Sequence, residues 1–285
     1  MIRMVYDGDI SMKVGFIGFG EVASTISKGL MDNGVEVYTS LEGRSIKTCN
    51  LVEEMSINIC KDYKEVAKIS DILISAVVPA KAVEVAREIG EDYKGVYVDI
   101  NNVSPQTVKK ALSYIKNRKT VDASIMGSIK LNGIKVQIIT SGNSANQFAK
   151  LNSYGMNIKI IGSEIGQAST LKMLRSSYTK GVSAILFESL YTAYKMKLDN
   201  EFLKCLEVTE CPGFRESAIS RITSSGFHAD RRAQEMEEVL EMMSEYKNPF
   251  MSKATTEFFK TLSKKVDKLD KRSEDYKNLF AKIQD

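Results

Sequence analysis

The sequence predicts an α/β protein built in two parts, a doubly wound parallel sheet followed by an all-helical region. From residue 13 to about 162, short β-branched apolar runs alternate with helical patterns, as strands buried on both faces of a parallel sheet require. After Gly166 the strand-like runs stop, and long stretches of 3.6-residue periodicity take over. The 285 residues suit two modest cores better than one large one. These observations define a first domain over 12–163, a helical domain over 164–285, and an extension over 1–11 ahead of a second methionine, Met12.

"KVGFIG" opens the first domain as a strand and leads into a helix from about Val22. The runs at 35–39, 71–77, 95–100 and 120–125 follow as further strands, with helical segments between most of them. Two more runs, 134–140 and 157–162, flank a helix near 144–151. In the second domain, helices are expected at about 167–197, 199–209, 213–225, 229–246 and 249–264. The last stretch, from Lys264, mixes both charge signs and reads as a solvated or partner-packed helix. Leu171, Leu174, Tyr178, Val182 and Ile185 form one apolar stripe on the helix from 167. Lys172 lies on the neighbouring face among Ala168, Ser169, Ser176 and Thr179.

Composition excludes several classes of function. A hydrophobic fraction of 43% and a charged fraction of 27% describe an ordinary globular chain. A net charge of +4, with no basic face interleaved with aromatics, argues against nucleic acid. No apolar run is long enough for a membrane span, and the amino terminus lacks a secretory pattern. Cys49, Cys60, Cys205 and Cys211 lack metal-ligand spacing, and His228 is the sole histidine, so no metal site is expected and a reducing cytoplasm is.

Gly18, Gly20 and Ala23 complete G-x-G-x-x-A between a strand and a helix. The first glycine makes the turn, the second admits a pyrophosphate, and the small third residue lets helix and strand pack. The helix amino terminus attracts the anion, so Gly18, Phe19, Gly20, Glu21 and Val22 form a dinucleotide loop of the Rossmann type. The second strand ends in Thr39-Ser40 rather than in a carboxylate, although Glu42 lies nearby. Arg44 and Ser45 follow and suit a 2′-phosphate, which favours NADP over NAD; the alternative is a solvated basic loop.

These motifs are similar to those of the β-hydroxyacid dehydrogenase superfamily, which includes 3-hydroxyisobutyrate and 6-phosphogluconate dehydrogenases. "GFIGFGEVA" resembles its cofactor loop, and "ISAVVPA" the loop that passes the cofactor, with Val77, Val78 and Pro79. "DINNVSPQT" resembles the segment beneath the nicotinamide, where Ser104 caps and Pro105 starts a helix. "DASIMGS" stands where the family holds the substrate's acid group, with Met126, Gly127 and Ser128 at the contact positions. "GQASTLK" with Ser176 resembles the family's lysine motif and makes Lys172 its general acid/base. The closest likeness is to an archaeal branch without an assigned substrate, and it extends through "LRSSYTKGVSA", "FRESAISR" and "HADRRAQEM". The departures are Ser124 for the loop proline, Met126 for the substrate serine, Ser128 for the second glycine and Ser176 for the helix asparagine.

The resemblance implies a Rossmann domain with a 6-phosphogluconate dehydrogenase-like helical domain. It also implies hydride transfer between NADP and a small 3-hydroxyacid or its keto form. Lys172, poorly solvated between helix and cofactor, would have its pKa lowered toward the working range. Asn102 either hydrogen-bonds substrate or nicotinamide, or serves as a turn residue before Ser104. Arg175 either binds an acidic group or pairs with a carboxylate. His228, Arg231 and Arg232 either bind an anion or form a solvated face with pairs such as Arg231 with Glu235 and Arg232 with Glu237 or its neighbours. A homodimer or larger homo-oligomer is expected through the helical domain, and the substrate is expected to be a small anionic hydroxyacid. An imine reductase and a non-catalytic NADP-binding regulator are the other readings. Lys172 counts against the first, and Lys172 together with Asn102 against the second.

Overall fold

The computed structural model describes residues 12–246, 248–266 and 272–283, so the extension over 1–11 lies outside the described residues. The chain divides into two compact units, Met1–Lys172 and Met173–Asp285.

The first unit holds a sheet of β1 (Lys13–Ile17), β2 (Glu36–Ser40), β3 (Asn58–Cys60), β4 (Ile72–Ser75), β5 (Val96–Asp99), β6 (Thr120–Ile125), β7 (Gln137–Ser141) and β8 (Asn157–Gly162). The strand order is β3-β2-β1-β4-β5-β6-β7-β8. Its helices are α1 (Glu21–Asp32), α2 (Ile46–Glu54), α3 (Tyr63–Ile69), α4 (Ala82–Ile89), α5 (Pro105–Leu112), α6 (Ile129–Asn132) and α7 (Ala145–Phe148). Alternate strand residues feed two cores. Val14, Phe16, Ile74 and Val98 pack with Ala23, Ile26 and Leu30 of α1. Ile17, Leu73 and Tyr97 pack with Val66 of α3, Val85 of α4 and Val108 of α5. This two-sided burial is why the strands read as continuous apolar runs.

Two elements differ from the sequence reading. β3 is a three-residue edge strand with two exposed positions, too short and too polar for a hydrophobic pattern to reveal it. β7 runs antiparallel to β6, whereas β8 is parallel to β7. The connection over 126–136 holds only α6 and one tight helical turn. That is too short to return the chain to the opposite end of the sheet, as a parallel crossover would require.

In the second unit, helix α8 (Gln167–Lys195) continues beyond Lys172 and is followed by α9 (Asp199–Thr209), α10 (Phe214–Phe227), α11 (Ala229–Ser244), α12 (Phe250–Lys265) and α13 (Tyr276–Phe280). Its core contains Phe187, Leu190, Leu203, Ile222, Met236 and Phe259. The charged terminal stretch departs from its expected solvated or partner-packed role. Tyr276, Leu279, Phe280 and Ile283 are buried, and the Phe280 ring lies 5.2 Å from Phe187 and 5.1 Å from Tyr191. Apolar residues spaced by three and four place one face of this short helix in the core despite its charged flanks. Residues 267–271 and 284–285 of that stretch lie outside the described residues. The stripe of Leu171, Leu174, Tyr178, Val182 and Ile185 faces outward, with Tyr178 72% and Ile185 57% exposed. Among the described residues, no helix is long and apolar enough to cross a membrane.

Candidate functional site

The order β2-β1-β4 reverses direction between β1 and β4, and open sheets bind ligands at the carboxyl ends of strands at such a point. The loop after β1 carries Gly18, Phe19 and Gly20. Gly18 has φ +83°, and a Cβ there would come within 2.5 Å of the Ala76 carbonyl oxygen, so the fold itself demands glycine. A Cβ at Gly20 would meet nothing within 4 Å. The fold makes no such demand at Gly20, and the exposed backbone there is open to a ligand. Gly20 caps α1 without a side-chain hydrogen bond, which leaves the first amides of that helix for an anion. Phe19 is buried edge-on against Phe16, while Glu21 is exposed and Val22 half-buried. These residues fit a dinucleotide's pyrophosphate.

Asn101 and Asn102 divide their roles in a way the sequence left open. Buried Asn101 accepts from the Val77 amide at 2.8 Å and donates to Ser75 Oγ at 3.1 Å, fixing the loop of Val77, Val78 and Pro79. Asn102 is exposed and makes no side-chain hydrogen bond among the described residues. Ser104 caps α5 by accepting from Thr107 N at 3.1 Å.

At the end of β2, Thr39 and Ser40 are buried and their hydroxyls are engaged inside the protein. Thr39 donates to the Phe16 carbonyl at 3.0 Å and Ser40 to the Lys61 carbonyl at 3.3 Å. Their side chains therefore serve the scaffold, and any ligand contact is left to backbone. Arg44 is half-buried, with its guanidinium 5.4 Å from the Tyr63 ring centroid. The Tyr63 hydroxyl is buried without a hydrogen-bond partner among the described residues. Ser45 Oγ accepts from Thr48 N as the cap of α2. Nothing in the sequence pattern marked Tyr63, which is brought to Arg44 by the packing of α3 beside β2.

A row of buried polar residues crosses the sheet in register, Ser75, Asp99, Asp122 and Ser141 on β4, β5, β6 and β7. Asp122 is the anchor of α8. Its Oδ2 accepts from Gly166 N at 3.0 Å, Ser169 N at 3.1 Å and Ser141 Oγ at 3.4 Å, and its Oδ1 from Ser169 Oγ at 2.6 Å. Ser141 Oγ in turn accepts from Ala168 N at 3.2 Å. The first turn of α8 is thus capped by two strands, and Lys172 follows Ser169 by three residues. Burial pushes the Asp122 carboxyl up, although its donors work in the opposite direction. Asp99 accepts from Asn101 N with Oδ1 at 2.9 Å, whereas its Oδ2 has no partner among the described residues. Burial raises its pKa to about 7, and Asp122 adds to the rise. A carboxylate on an otherwise apolar strand is the signal that could have marked both residues.

After β6, Met126 donates its amide to the Gln137 carbonyl at 2.8 Å, and Gly127 and Ser128 are exposed. Lys130 pairs with Glu21 at 3.6 Å, joining this loop to the start of α1.

The remaining candidates lie in the second unit. Arg175 is exposed on α8 and makes no ion pair among the described residues, and Ser176 is half-buried. Arg231 pairs with Glu235 at 3.3 Å, as i,i+4 spacing suggests. Arg232 does not pair with Glu237, which instead accepts from Lys260 at 2.9 Å. Arg232 turns onto Ser224 and Ser225 of α10.

The chain is similar to several known proteins. Residues 13–103 match the family described as NADP oxidoreductase coenzyme F420-dependent, and residues 193–262 match a domain family of unknown function. An uncharacterised 28.5 kDa protein of Methanothermus fervidus is 46% identical over 250 residues, covering 87% of this chain and 98% of that one. A solved structure of a conserved protein of unknown function, described as similar to 3-hydroxyacid dehydrogenases, is 48% identical with a TM-score of 0.81. It covers 89% of this chain and 97% of its own. The 3-hydroxyisobutyrate dehydrogenase of Mycobacterium tuberculosis, solved with L-serine, shares the fold at 13% identity and TM-score 0.76, over 95% of this chain and 99% of its own.

Proposed function

This chain belongs to the β-hydroxyacid dehydrogenase superfamily, and we propose that it is an NADP-dependent oxidoreductase acting on a small 3-hydroxyacid or its keto form. The observation that carries the reading is the pairing of an open glycine loop with a lysine on a helix anchored to the same sheet by Asp122. Backbone amides from Gly18 to Val22 hold the pyrophosphate, Arg44 and Ser45 the 2′-phosphate, and Val77 to Pro79 flank the cofactor. When bound, the nicotinamide supplies or accepts the hydride.

The chain's own residues manage the proton and the orientation. The Lys172 amine takes the hydroxyl proton during oxidation, and its ammonium returns one to the carbonyl oxygen during reduction. Asn102 donates to substrate or to the carboxamide. The Gly127 amide and the Ser128 hydroxyl receive the substrate's acid group, with Met126 beside them. Cysteines free of disulfides suit a reducing cytoplasm. Two copies pair through the exposed stripe of α8, an apolar surface of the kind that partners cover.

The test is a spectrophotometric screen of small 2- and 3-hydroxyacids, phosphorylated and not, with NADP, followed by Lys172 variants on the best substrate. Lys172→Ala lowers turnover by roughly two to four powers of ten while NADPH affinity stays near normal. Lys172→Arg fails to restore it, because a guanidinium holds its proton near neutral pH. Normal turnover in Lys172→Ala would refute the mechanism.

A further inference from the structure

Helix α10 presents a run of hydroxyls, Ser220, Thr223, Ser224 and Ser225, and two guanidiniums are seated on it. Arg272 Nη2 donates to the Ser220 carbonyl at 2.8 Å, to Ser220 Oγ at 2.9 Å and to Thr223 Oγ1 at 3.2 Å. Arg232 Nη1 donates to Ser225 Oγ at 2.6 Å and Nη2 to Ser224 Oγ at 3.0 Å, with its guanidinium 5.6 Å from the Phe259 ring centroid. The Ser225 proton is directed to the Arg221 carbonyl at 2.7 Å, so its oxygen is fixed as an acceptor. Serine hydroxyls orient a guanidinium but do not neutralise it. Neither Arg232 nor Arg272 is within ion-pair distance of a carboxylate among the described residues.

The charge around this point is unbalanced. Arg232 is repelled by Arg231, Arg272 and Arg221, and Glu235 is the acid that opposes them. Glu235 is already shared, at 2.9 Å from Lys180 and 3.3 Å from Arg231. Asp230, exposed on the first turn of α11, accepts from Gln234 at 3.1 Å. Glu216 and Glu274 line the cavity of about 530 Å³ beside Arg272 without pairing with it. Burial and the neighbouring guanidiniums pull Arg232 down to about 10. Burial, followed by Arg231, Arg232 and Arg272, also lowers His228, which stands between α10 and α11 with its ring against Phe227. A guanidinium carries five N–H groups, and Arg232 uses two of them on the serines. A half-buried, oriented and uncompensated fork is costly unless an anion completes it.

We propose that Arg232, with Arg231 and His228, is a receptor for a doubly charged phosphoryl oxyanion, built entirely within the helical unit. The free N–H groups of the Arg232 fork suit tetrahedral oxygens, and Arg231 and Arg272 add positive charge beside it. The site goes beyond the proposed hydride transfer and does not depend on it. Binding is linked to a proton. The dianion offsets the repulsion that adds to burial in lowering the His228 pKa, so the imidazole takes up a proton more readily as the site fills.

His228 is the sole histidine of the chain, so its ring carbon signal in NMR is a single reporter needing no assignment. The full chain is titrated with inorganic phosphate, with 3-phosphoglycerate, and with chloride at matched ionic strength, each over a pH series. Both phosphates are expected to raise the His228 pKa saturably, and chloride only slightly and without saturation. Tighter binding of 3-phosphoglycerate identifies the source as a phosphorylated organic acid, and equal binding identifies free phosphate. Arg232→Gln raises the His228 pKa without phosphate and weakens phosphate binding by about tenfold or more. If that variant does not fold, Arg232→Lys keeps the charge, leaves the phosphate-free pKa in place and still weakens binding through loss of the fork. No saturable shift at millimolar phosphate, or equal shifts in the wild type and a folded variant, overturns the site. Failure of the hydroxyacid screen leaves it standing, and failure here leaves the proposed hydride transfer standing.

Discussion

Replacing Asp122 with alanine tests whether the sheet holds the first turn of α8. The carboxylate accepts four hydrogen bonds, two from the backbone amides of Gly166 and Ser169 and two from the hydroxyls of Ser169 and Ser141. The hydroxyls can rotate to other acceptors, but the amides cannot. Each buried donor left unpaired costs about 1–3 kcal/mol, so the two amides together predict a loss of roughly 2–6 kcal/mol. Water entering the space left by the side chain recovers part of this, which places the expected loss near 3–4 kcal/mol. Asp122→Asn keeps one accepting oxygen but turns an amide toward donors and removes the negative charge from the helix start, so about 2 kcal/mol is expected. Urea unfolding followed by far-ultraviolet circular dichroism measures the change, read on the transition of the first unit if the two units melt separately. Amide exchange at Gly166 and Ser169 should accelerate in both variants. An Asp122→Ala protein destabilised by less than about 1 kcal/mol, with those amides still protected, would refute the clamp.

Three further outcomes follow from other parts of the molecule. NADPH should bind at least about tenfold more tightly than NADH, the worth of one charge-assisted phosphate contact, and Arg44→Ala should remove most of that margin; equal affinities in the wild type sink the assignment. Asp99 has a native pKa of about 7, well above its unfolded value, so the native state holds the extra proton and stability falls as pH rises from about 4 to about 7. Asp99→Asn should flatten that slope and gain stability relative to wild type at pH 8, as read by chemical denaturation; an unchanged slope contradicts it. Ile185→Glu, at an exposed position of the stripe, should shift light scattering toward monomer, and a wild-type protein already monomeric at micromolar concentration removes the pairing.

The sequence by itself determined the sheet-then-helices order, most of the strands, the glycine loop and the position of Lys172. These properties are local: buried strands must be apolar along their length, and a dinucleotide loop needs glycines at fixed spacing beside a strand and a helix. The resemblance of "GQASTLK" to the family motif marked Lys172, but nothing near it in sequence marked the group that fixes its helix. Asp122 lies 47 residues from Ser169 along the chain, and only the pairing of β6 with β5 and β7 puts its carboxylate under that first turn. The same holds for Asn101 and Asn102, adjacent and identical in type. Burial against Ser75 and Val77 makes the first structural, while exposure leaves the second open to a ligand. Tertiary structure also decided the reversal at β7, the burial of Phe280 and the seating of Arg232 on α10 instead of beside Glu237. Each depends on which distant surface a residue meets, a quantity that hydrophobic periodicity and charge spacing do not carry.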